Sequence, residues 1–295
     1  MDAESHWFKV GAFDCLAVSD GCLTYPPAVF FVNASKSDYE AALRERNLPL
    51  DGVTTPYICL YFRTEGHQVL VDTGAGNLAA TTGRLVKNLQ NQGIDPGSID
   101  TVILTHAHPD HIGGILDSNG APGFRNARYV MSRDEWDFWT QSPSLSSLQC
   151  DDHVKHLVLQ CAAEVLPSLR HRLELVAGGD EIVPGVRVLA APGHTPGHIA
   201  LDISSQGETL IDAVDAVLHP VMIERLEWYS GVDLLPEKTL TSRRSLLEQA
   251  AQKEAVLMAF HFPFPGLGRV RRTKTGFSYD PIFGKSDTGT HQRNR

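Results

Sequence analysis

The sequence predicts an α/β protein in which two mixed β-sheets are covered on their outer faces by helices. Three observations lead there. Apolar strand-like runs come in groups and do not alternate strictly with helices, which disfavours one doubly wound sheet. Helical spacing separates the groups, over residues 78–92, 152–169 and 237–253. Several of the short apolar runs end on His or Asp, as strands do when they deliver side chains to a site.

The chain can bury a large core, since it has 295 residues of which 42% are hydrophobic. We expect one large domain over residues 1–270 and a basic polar tail over 271–295. The tail reading rests on charge: from Arg269 onward seven Lys/Arg (269, 271, 272, 274, 285, 293, 295) face only Asp280 and Asp287. The chain as a whole is acidic, with 26 Lys and Arg against 35 Asp and Glu. Nucleic acid and an anionic membrane are therefore not expected as partners, because both need a positive field. Five cysteines (15, 22, 59, 150, 161) form no CxxC pair or regular framework, so reduced thiols are expected. The opening "MDAESHWFKVGAF" lacks a basic segment followed by a long apolar one, and no apolar run approaches the roughly 20 residues that span a bilayer. A cytoplasmic protein is expected. The first twenty or so residues and the tail are where a homodimer contact would sit.

Taken in order, Tyr57–Arg63 and Gln68–Val71 read as a β-hairpin, with Asp72 where the second strand stops. Leu78–Gln92 has helical spacing and Gly93 stands at a C-terminal cap. Thr101–Leu104 is a short buried strand. Arg128–Met131 is another, followed by Ser132-Arg-Asp-Glu135, whose capping-box spacing starts a helix through Trp136 and Trp139. A helix over 152–169 precedes four β-like runs, "RLELVAG", "VRVLAAPG", "IALDIS" and "TLIDAV". Glu237–Lys253 is helical and "AVLMAF" is the last buried strand.

The densest cluster is "THAHPDH", which supplies His106, His108, Asp110 and His111 directly after a strand. Positions two apart and adjacent cannot share one face of a regular element, so a loop must splay them into two sets. Imidazole with carboxylate suits Zn, Fe or Mn, and two sets imply two neighbouring ions. Two ions need further ligands. His194 lies in "APGHTPGH", held by glycines and prolines; His198 heads into the next strand, where a supporting role is expected. In "TLIDAVDAVLHP" Asp212 lies inside the apolar run and Asp215 follows Val214 at the run's end, where a carboxylate can reach a site; His261 ends the last strand.

This ordered set, with Asp72 in "VDTG", resembles the metallo-β-lactamase-fold hydrolases in register over roughly residues 8–270. The resemblance implies a four-layer αββα sandwich with a dinuclear centre at one edge. It places one metal on His106, His108 and His194 and the other on Asp110, His111 and His261, with Asp215 bridging and Asp72 supporting from behind. Two divalent ions are implied, zinc first, with Fe, Mn or Co also accepted by such ligands. Members that reduce oxygen carry glutamate at the position of His108, so this chain resembles the hydrolytic ones. It departs from the family at Val214, where glycine usually precedes the bridging aspartate; Asp212 therefore competes with Asp215 for that role, and the spacing to "AVLHP" favours Asp215.

The expected chemistry is hydrolysis, with Asp110 and Asp215 as catalytic carboxylates around a metal-bridging hydroxide. "SDG" at 19–21, "DAVLHP" at 215–220 and "HFPFPGLGRV" resemble the branch holding methyl parathion hydrolase and the acyl-homoserine lactonases. That implies a small-molecule lactone, ester or phosphotriester substrate. Phe262 and Phe264 are expected to wall an apolar pocket with Met222, Trp228 and Tyr229. The lactonases carry a tyrosine three residues after the bridging aspartate; here it is Leu218, and the neighbouring His219 is the candidate substitute. Two alternatives stand beside this reading: a glyoxalase II-like thioesterase, for which no added helical C-terminal region is evident, and a non-catalytic metal-binding member acting as a binding protein.

Overall fold

Strand after strand adds to a sheet in chain order, producing two seven-stranded sheets. The computed structural model describes residues 4–117 and 119–282. The first sheet holds β1 (Ser5–Val10), β2 (Phe13–Tyr25), β3 (Val53–Arg63), β4 (Gln68–Val71), β5 (Thr101–Leu104), β6 (Arg128–Ser132) and β7 (Leu173–Val176). Its first four strands are antiparallel and β4 to β7 run parallel. The second holds β8 (Glu181–Val183), β9 (Val186–Ala190), β10 (Ile199–Ser205), β11 (Glu208–Asp212), β12 (Val256–Met258), β13 (Leu267–Arg272) and β14 (Phe277–Pro281). Only β11 and β12 pair in parallel there. Eight α-helices are described: α1 (Pro27–Phe30), α2 (Lys36–Glu45), α3 (Leu85–Asn91), α4 (Pro109–Ile112), α5 (Arg133–Thr140), α6 (Asp152–Leu169), α7 (Val221–Glu224) and α8 (Pro236–Gln252).

Side-chain alternation divides the apolar residues into three layers. In β3, Ile58, Leu60 and Phe62 join the layer between the sheets, while Tyr57, Cys59 and Tyr61 face the layer under α3, α5 and α6. In β10, Ile199, Leu201 and Ile203 point inward and Ala200 faces the layer under α8. A strand buried on both faces must read as continuous apolar sequence, which is why the strands around the centre carry no polar alternation. The four-layer αββα arrangement predicted above is thus observed. All five cysteines are unpaired, and no described helix is long and apolar enough to cross a membrane.

Two expectations need correction, and one element was not anticipated. The N-terminal ribbon of β1 and β2 has no counterpart in the sequence reading. It contains a bulge: the register of β2 with β3 shifts between Ser19 and Gly21, and Gly21 takes φ 127°, where a Cβ would lie 1.9 Å from the Thr81 carbonyl oxygen. The helix expected over 78–92 is α-helical only from Leu85 to Asn91, since Gly83 adopts φ 78° and cannot continue a helix. The domain boundary drawn at 270 falls inside β13. Beyond it β14 pairs with β13, Phe277 joins the layer under α8, and Tyr279 packs edge-on against Phe262 at 5.1 Å. The basic residues Arg269, Arg271 and Arg272 lie on this edge ribbon, where Arg271 pairs with Asp280. The rest of the expected tail, 283–295, lies outside the described residues.

Ending the chain at Arg272 removes an edge strand and the buried Phe277. We expect thermal unfolding to start lower by at least about 5 °C, by analogy with deletion of a buried aromatic. An unchanged melting temperature would restore the tail reading.

Candidate metal centre

The site is assembled from loops that leave the carboxyl ends of five strands. Asp72 follows β4, residues 105–111 follow β5, His194 follows β9, Asp215 follows β11 and His261 follows β12. β5 is four residues long and completely buried, so its loop leaves from a fixed point. Pro109 starts α4 at a position needing no amide proton, and this single turn carries Asp110 and His111 away from His106 and His108. The predicted splaying into two sets is what this turn produces.

Distances show which groups face a common point. Asp215 Oδ2 lies 3.1 Å from His194 Nε2, 3.2 Å from His261 Nε2, 3.3 Å from His111 Nε2 and 3.7 Å from His106 Nε2. His108 Nδ1 is 2.9 Å from His194 Nε2, and Asp110 Oδ2 is 3.3 Å from His261 Nε2. Three overlapping groups result: His106, His108 and His194; His106, His111 and Asp215; and Asp110, His111 and His261. Tetrahedral bonds of about 2.1 Å put ligand atoms about 3.4 Å apart, which matches most of these separations. Nε2 of His106 and His111 and Oδ1 of Asp215 are buried and have no hydrogen-bond partner among the described residues. A buried polar atom left alone costs about 1–3 kcal/mol, so three in one cluster fit ligands to cations better than a self-sufficient protein network.

Two of the imidazoles are oriented from behind by buried carboxylates. Asp72 accepts from the Thr105 amide (2.9 Å), the Thr105 hydroxyl (2.7 Å) and His111 Nδ1 (2.8 Å), leaving His111 Nε2 to face the site. Asp233 does the same for His194, 2.9 Å from its Nδ1. His198 donates from Nδ1 to the Ala191 carbonyl (3.1 Å) and accepts the Asp215 amide at Nε2 (3.2 Å), the supporting role expected of it. The charges respond accordingly. Burial alone would depress His194, but Asp215 and Asp233 raise it to about 9. Burial would raise Asp215, yet His261, His111 and His194 hold it well below the usual carboxylate range. Asp212 is pushed up to about 7 by burial and by the nearby Asp72, and belongs to none of the three groups. Of the two candidates, Asp215 lies in one of the three groups and Asp212 in none. Val214, in the usual glycine place, takes φ 46°, a left-handed backbone that a β-branched residue adopts only under strain.

Sequence reasoning missed Glu135 and Asp233. Ser132 caps α5 as predicted, its Oγ accepting the Glu135 amide at 3.1 Å. The Glu135 side chain does not close the expected box. It turns inward to accept from the Ala107 amide (2.9 Å), Trp139 Nε1 (2.6 Å), the Thr195 hydroxyl (2.6 Å) and the Gly197 amide (3.0 Å). One carboxylate thus ties the 105–111 loop to the 194–198 loop. Gly197 permits this, since a Cβ there would lie 1.9 Å from the Glu135 amide nitrogen. Nothing in the local sequence marks Asp233, which lies 39 residues from the histidine it orients.

The expected pocket residues are placed elsewhere. Phe262 packs under the second sheet, Phe264 packs against the layer between the sheets, and Met222 and Trp228 join the helix layer. The Tyr229 backbone pairs with the 32–33 turn. His219 packs edge-on to Phe31 at 5.5 Å, and its Nδ1 accepts the Val221 amide. The cavity that does open onto the site is walled by Tyr25, Val29, Phe30, Leu78, Leu148, Val154, Leu157, Val158, Leu218 and Val232, with Thr55, Asp110, His108, His194, Asp215 and His261 at its base. These residues come from β2, α1, α6 and loops that show no motif, and prolines 263 and 265 turn the phenylalanines away from it. Asp110 is the most open of the ligand candidates, with its side chain 19% exposed.

The sequence profile of the metallo-β-lactamase superfamily matches residues 56–261. The chain belongs to that superfamily, and it is a metal-dependent hydrolase. It is 28% identical to the N-acyl homoserine lactonase AiiA of Bacillus thuringiensis subsp. kurstaki over 227 residues, 70% of this chain and 81% of the relative. Among solved structures it is similar to AidC, a dizinc quorum-quenching lactonase in complex with its product, with TM-score 0.89, 26% identity and coverage of 95% and 97% of the two chains. AbOPH, a hydrolase of the β-lactamase superfamily, matches with TM-score 0.87, 25% identity and coverage of 97% and 100%.

Two outcomes are expected. Glu135→Gln sets an amide NH2 against inward-pointing donors, so stability should fall by about 1–3 kcal/mol, read as a lower urea midpoint; a midpoint within error of the parent would rule out the tie between the loops. His219 is depressed to about 3, burial being the larger cause and Arg46 the second. The unfolded chain therefore binds a proton that the folded one refuses, and stability should decline as pH falls below about 6.5. His219→Leu should flatten part of that decline between pH 7 and 4.

Proposed function

We propose that this chain hydrolyses a neutral lactone bearing an apolar acyl group, an N-acyl homoserine lactone first among them, at a dinuclear centre. His106, His108 and His194 would hold one metal and Asp110, His111 and His261 the other, with Asp215 within reach of both sets. The observation that carries the reading is Asp215 Oδ2, a single oxygen within 3.7 Å of imidazoles from both sets, at the base of an apolar cavity. When bound, two divalent ions supply a hydroxide near neutral pH and polarise the acyl oxygen.

The protein's own groups then divide the work. Asp72 and Asp233 fix the tautomers of His111 and His194, so that Nε2 of each carries a lone pair into the site. Asp110, open to the cavity and 3.3 Å from His261, is the carboxylate placed to hold a proton and pass it to the alcohol that leaves. The cavity wall excludes water and receives the acyl group. Among the described residues no Lys or Arg lines it, so a substrate that must be held by its own carboxylate or phosphate finds no counter-charge there. That disfavours the glutathione thioester of a glyoxalase II-like enzyme. AiiA and AidC carry lactonase names, which supports the choice of lactone over aryl ester or phosphotriester.

The test is a panel of an N-acyl homoserine lactone, an aryl ester, a phosphotriester and a glutathione thioester, with zinc-loaded protein beside a chelated control. Chelator-sensitive lactone opening is expected, with two divalent ions per chain by elemental analysis. His106→Ala and Asp215→Ala should lose at least about 10³-fold in kcat/KM and bind less metal. Full activity in either variant, or two ions bound without turnover of any panel member, would reject the reading and favour a binding protein.

A further inference from the structure

Leu218 occupies part of the cavity wall as a plain apolar side chain, which leaves open what steadies the oxygen atoms of a substrate there. Apart from the metal-ligand candidates, the wall offers two hydroxyl groups, those of Thr55 and Tyr25. Thr55 directs its hydroxyl to the Val53 carbonyl at 3.4 Å. Tyr25 Oη lies 2.7 Å from Tyr57 Oη, and the direction of that hydrogen bond decides what Tyr25 can do. Tyr57 is fully buried, its ring packed edge-on to His261 at 5.5 Å and stacked on Phe260 at 5.9 Å. Among the described residues its hydroxyl meets no partner but Tyr25, and full burial keeps water away. If Tyr57 accepted, its own proton would be buried without an acceptor, at a cost of about 1–3 kcal/mol. Tyr57 therefore donates, Tyr25 accepts, and the Tyr25 proton is free to leave the pair on the cavity side.

We propose that Tyr25 is a substrate-contacting catalytic residue whose hydroxyl donates to an acceptor oxygen of the bound substrate, and that Tyr57 is a positioning residue that fixes its direction. This rests on the reading of the site as an ester or lactone hydrolase. No proton is transferred: a phenol with an ordinary pKa of about 10 stays protonated at neutral pH, and the bond strengthens as negative charge grows on the oxygen it faces. The donor chain Tyr57 to Tyr25 to substrate is cooperative, since each hydroxyl that accepts becomes a better donor. Phe30 packs edge-on to the Tyr25 ring at 6.1 Å and limits its movement.

Tyr25→Phe keeps the ring and removes only the hydroxyl. It should lower kcat/KM for the lactone about 10²-fold, chiefly through kcat, with metal content unchanged and a lower melting temperature, since the buried Tyr57 hydroxyl loses its acceptor. Tyr57→Phe should cost less, about tenfold, because Tyr25 keeps its proton but gains a second orientation. A binding arm reads the same contact without turnover: an N-acyl lactam and its carbonyl-free cyclopentyl counterpart are titrated onto the zinc-loaded protein. Tyr25→Phe should weaken the lactam about tenfold and leave the cyclopentyl compound unchanged. Tyr25→Phe activity within about threefold of the parent, or equal weakening of both compounds, overturns the proposal while leaving the hydrolase reading intact. Failure of the parent to turn over any lactone or ester overturns that reading instead, and the lactam comparison then still decides whether Tyr25 donates. If the parent binds neither compound, both are overturned.

Discussion

One carboxylate oxygen, Asp215 Oδ2, sits within 3.7 Å of four buried imidazoles, and the surrounding structure serves to keep it there. Taking a carboxylate out of water is costly unless charge and hydrogen bonds are supplied around it. Here they come from both sheets. His106 and His111 leave the first sheet after β5, while His194 and His261 leave the second after β9 and β12. The site is therefore a seam, and it exists only while the two sheets keep their separation. The apolar layer between them, built from inward-facing residues such as Leu60, Phe62, Ile103, Leu201 and Ile203, sets that separation.

Packing alone leaves loops free to drift, and buried carboxylates correct for this. Asp72 joins the end of β4 to Thr105 and His111; Glu135 joins the 105–111 loop to the 194–198 loop; Asp233 joins the segment before α8 to His194. Asp20 adds a fourth tie, accepting the amides of Ala75, Gly83 and Leu85 from the bulge in β2. Arg243 closes the set from α8, donating to the Ala216 and Trp228 carbonyls so that the turn after Asp215 cannot swing out. Each is a buried charged group with several partners, and each spans elements distant in sequence. Such ties hold ligand atoms in place with or without good packing beside them.

That distance explains what was legible in the sequence. Ligand candidates were readable because His and Asp at strand ends are chemically conspicuous: "THAHPDH", His194, Asp215 and His261 meet as expected. Asp72 was readable for the same reason. Glu135 was read from its position three residues after Ser132, a local rule that fixes the backbone cap but not the carboxylate, which found three donors in other loops and a fourth in Trp139 of its own helix. The pocket was misread because Phe262 and Phe264 are large and adjacent to a ligand, whereas orientation depends on the turn through Pro263 and Pro265 and on the cover given by β14. The true wall comes from β2, α1 and α6, whose apolar residues look like any core-facing stripe.

The same geometry separates two functions that must not interfere. Metal ligation needs buried carboxylates, and the chain is acidic overall, with a formal net charge of −9. Such a field repels an anionic substrate and offers no cation along the wall to offset it. A neutral ligand is indifferent to that field and gains chiefly from apolar area, at about 25 cal/mol for each Å² removed from water. Affinity can thus be set by the residues of β2, α1 and α6 without touching the charges that set reactivity, which lie on loops at the far ends of β5, β9, β11 and β12. Exchange of Val154, Leu157 or Leu218 for other apolar side chains changes the shape of the cavity wall, while Asp72, Glu135 and Asp233 keep the loops behind it fixed. Apart from Leu218 and Val232, the apolar wall lies on segments of chain other than those of the seam, so it can vary while the seam stays constant.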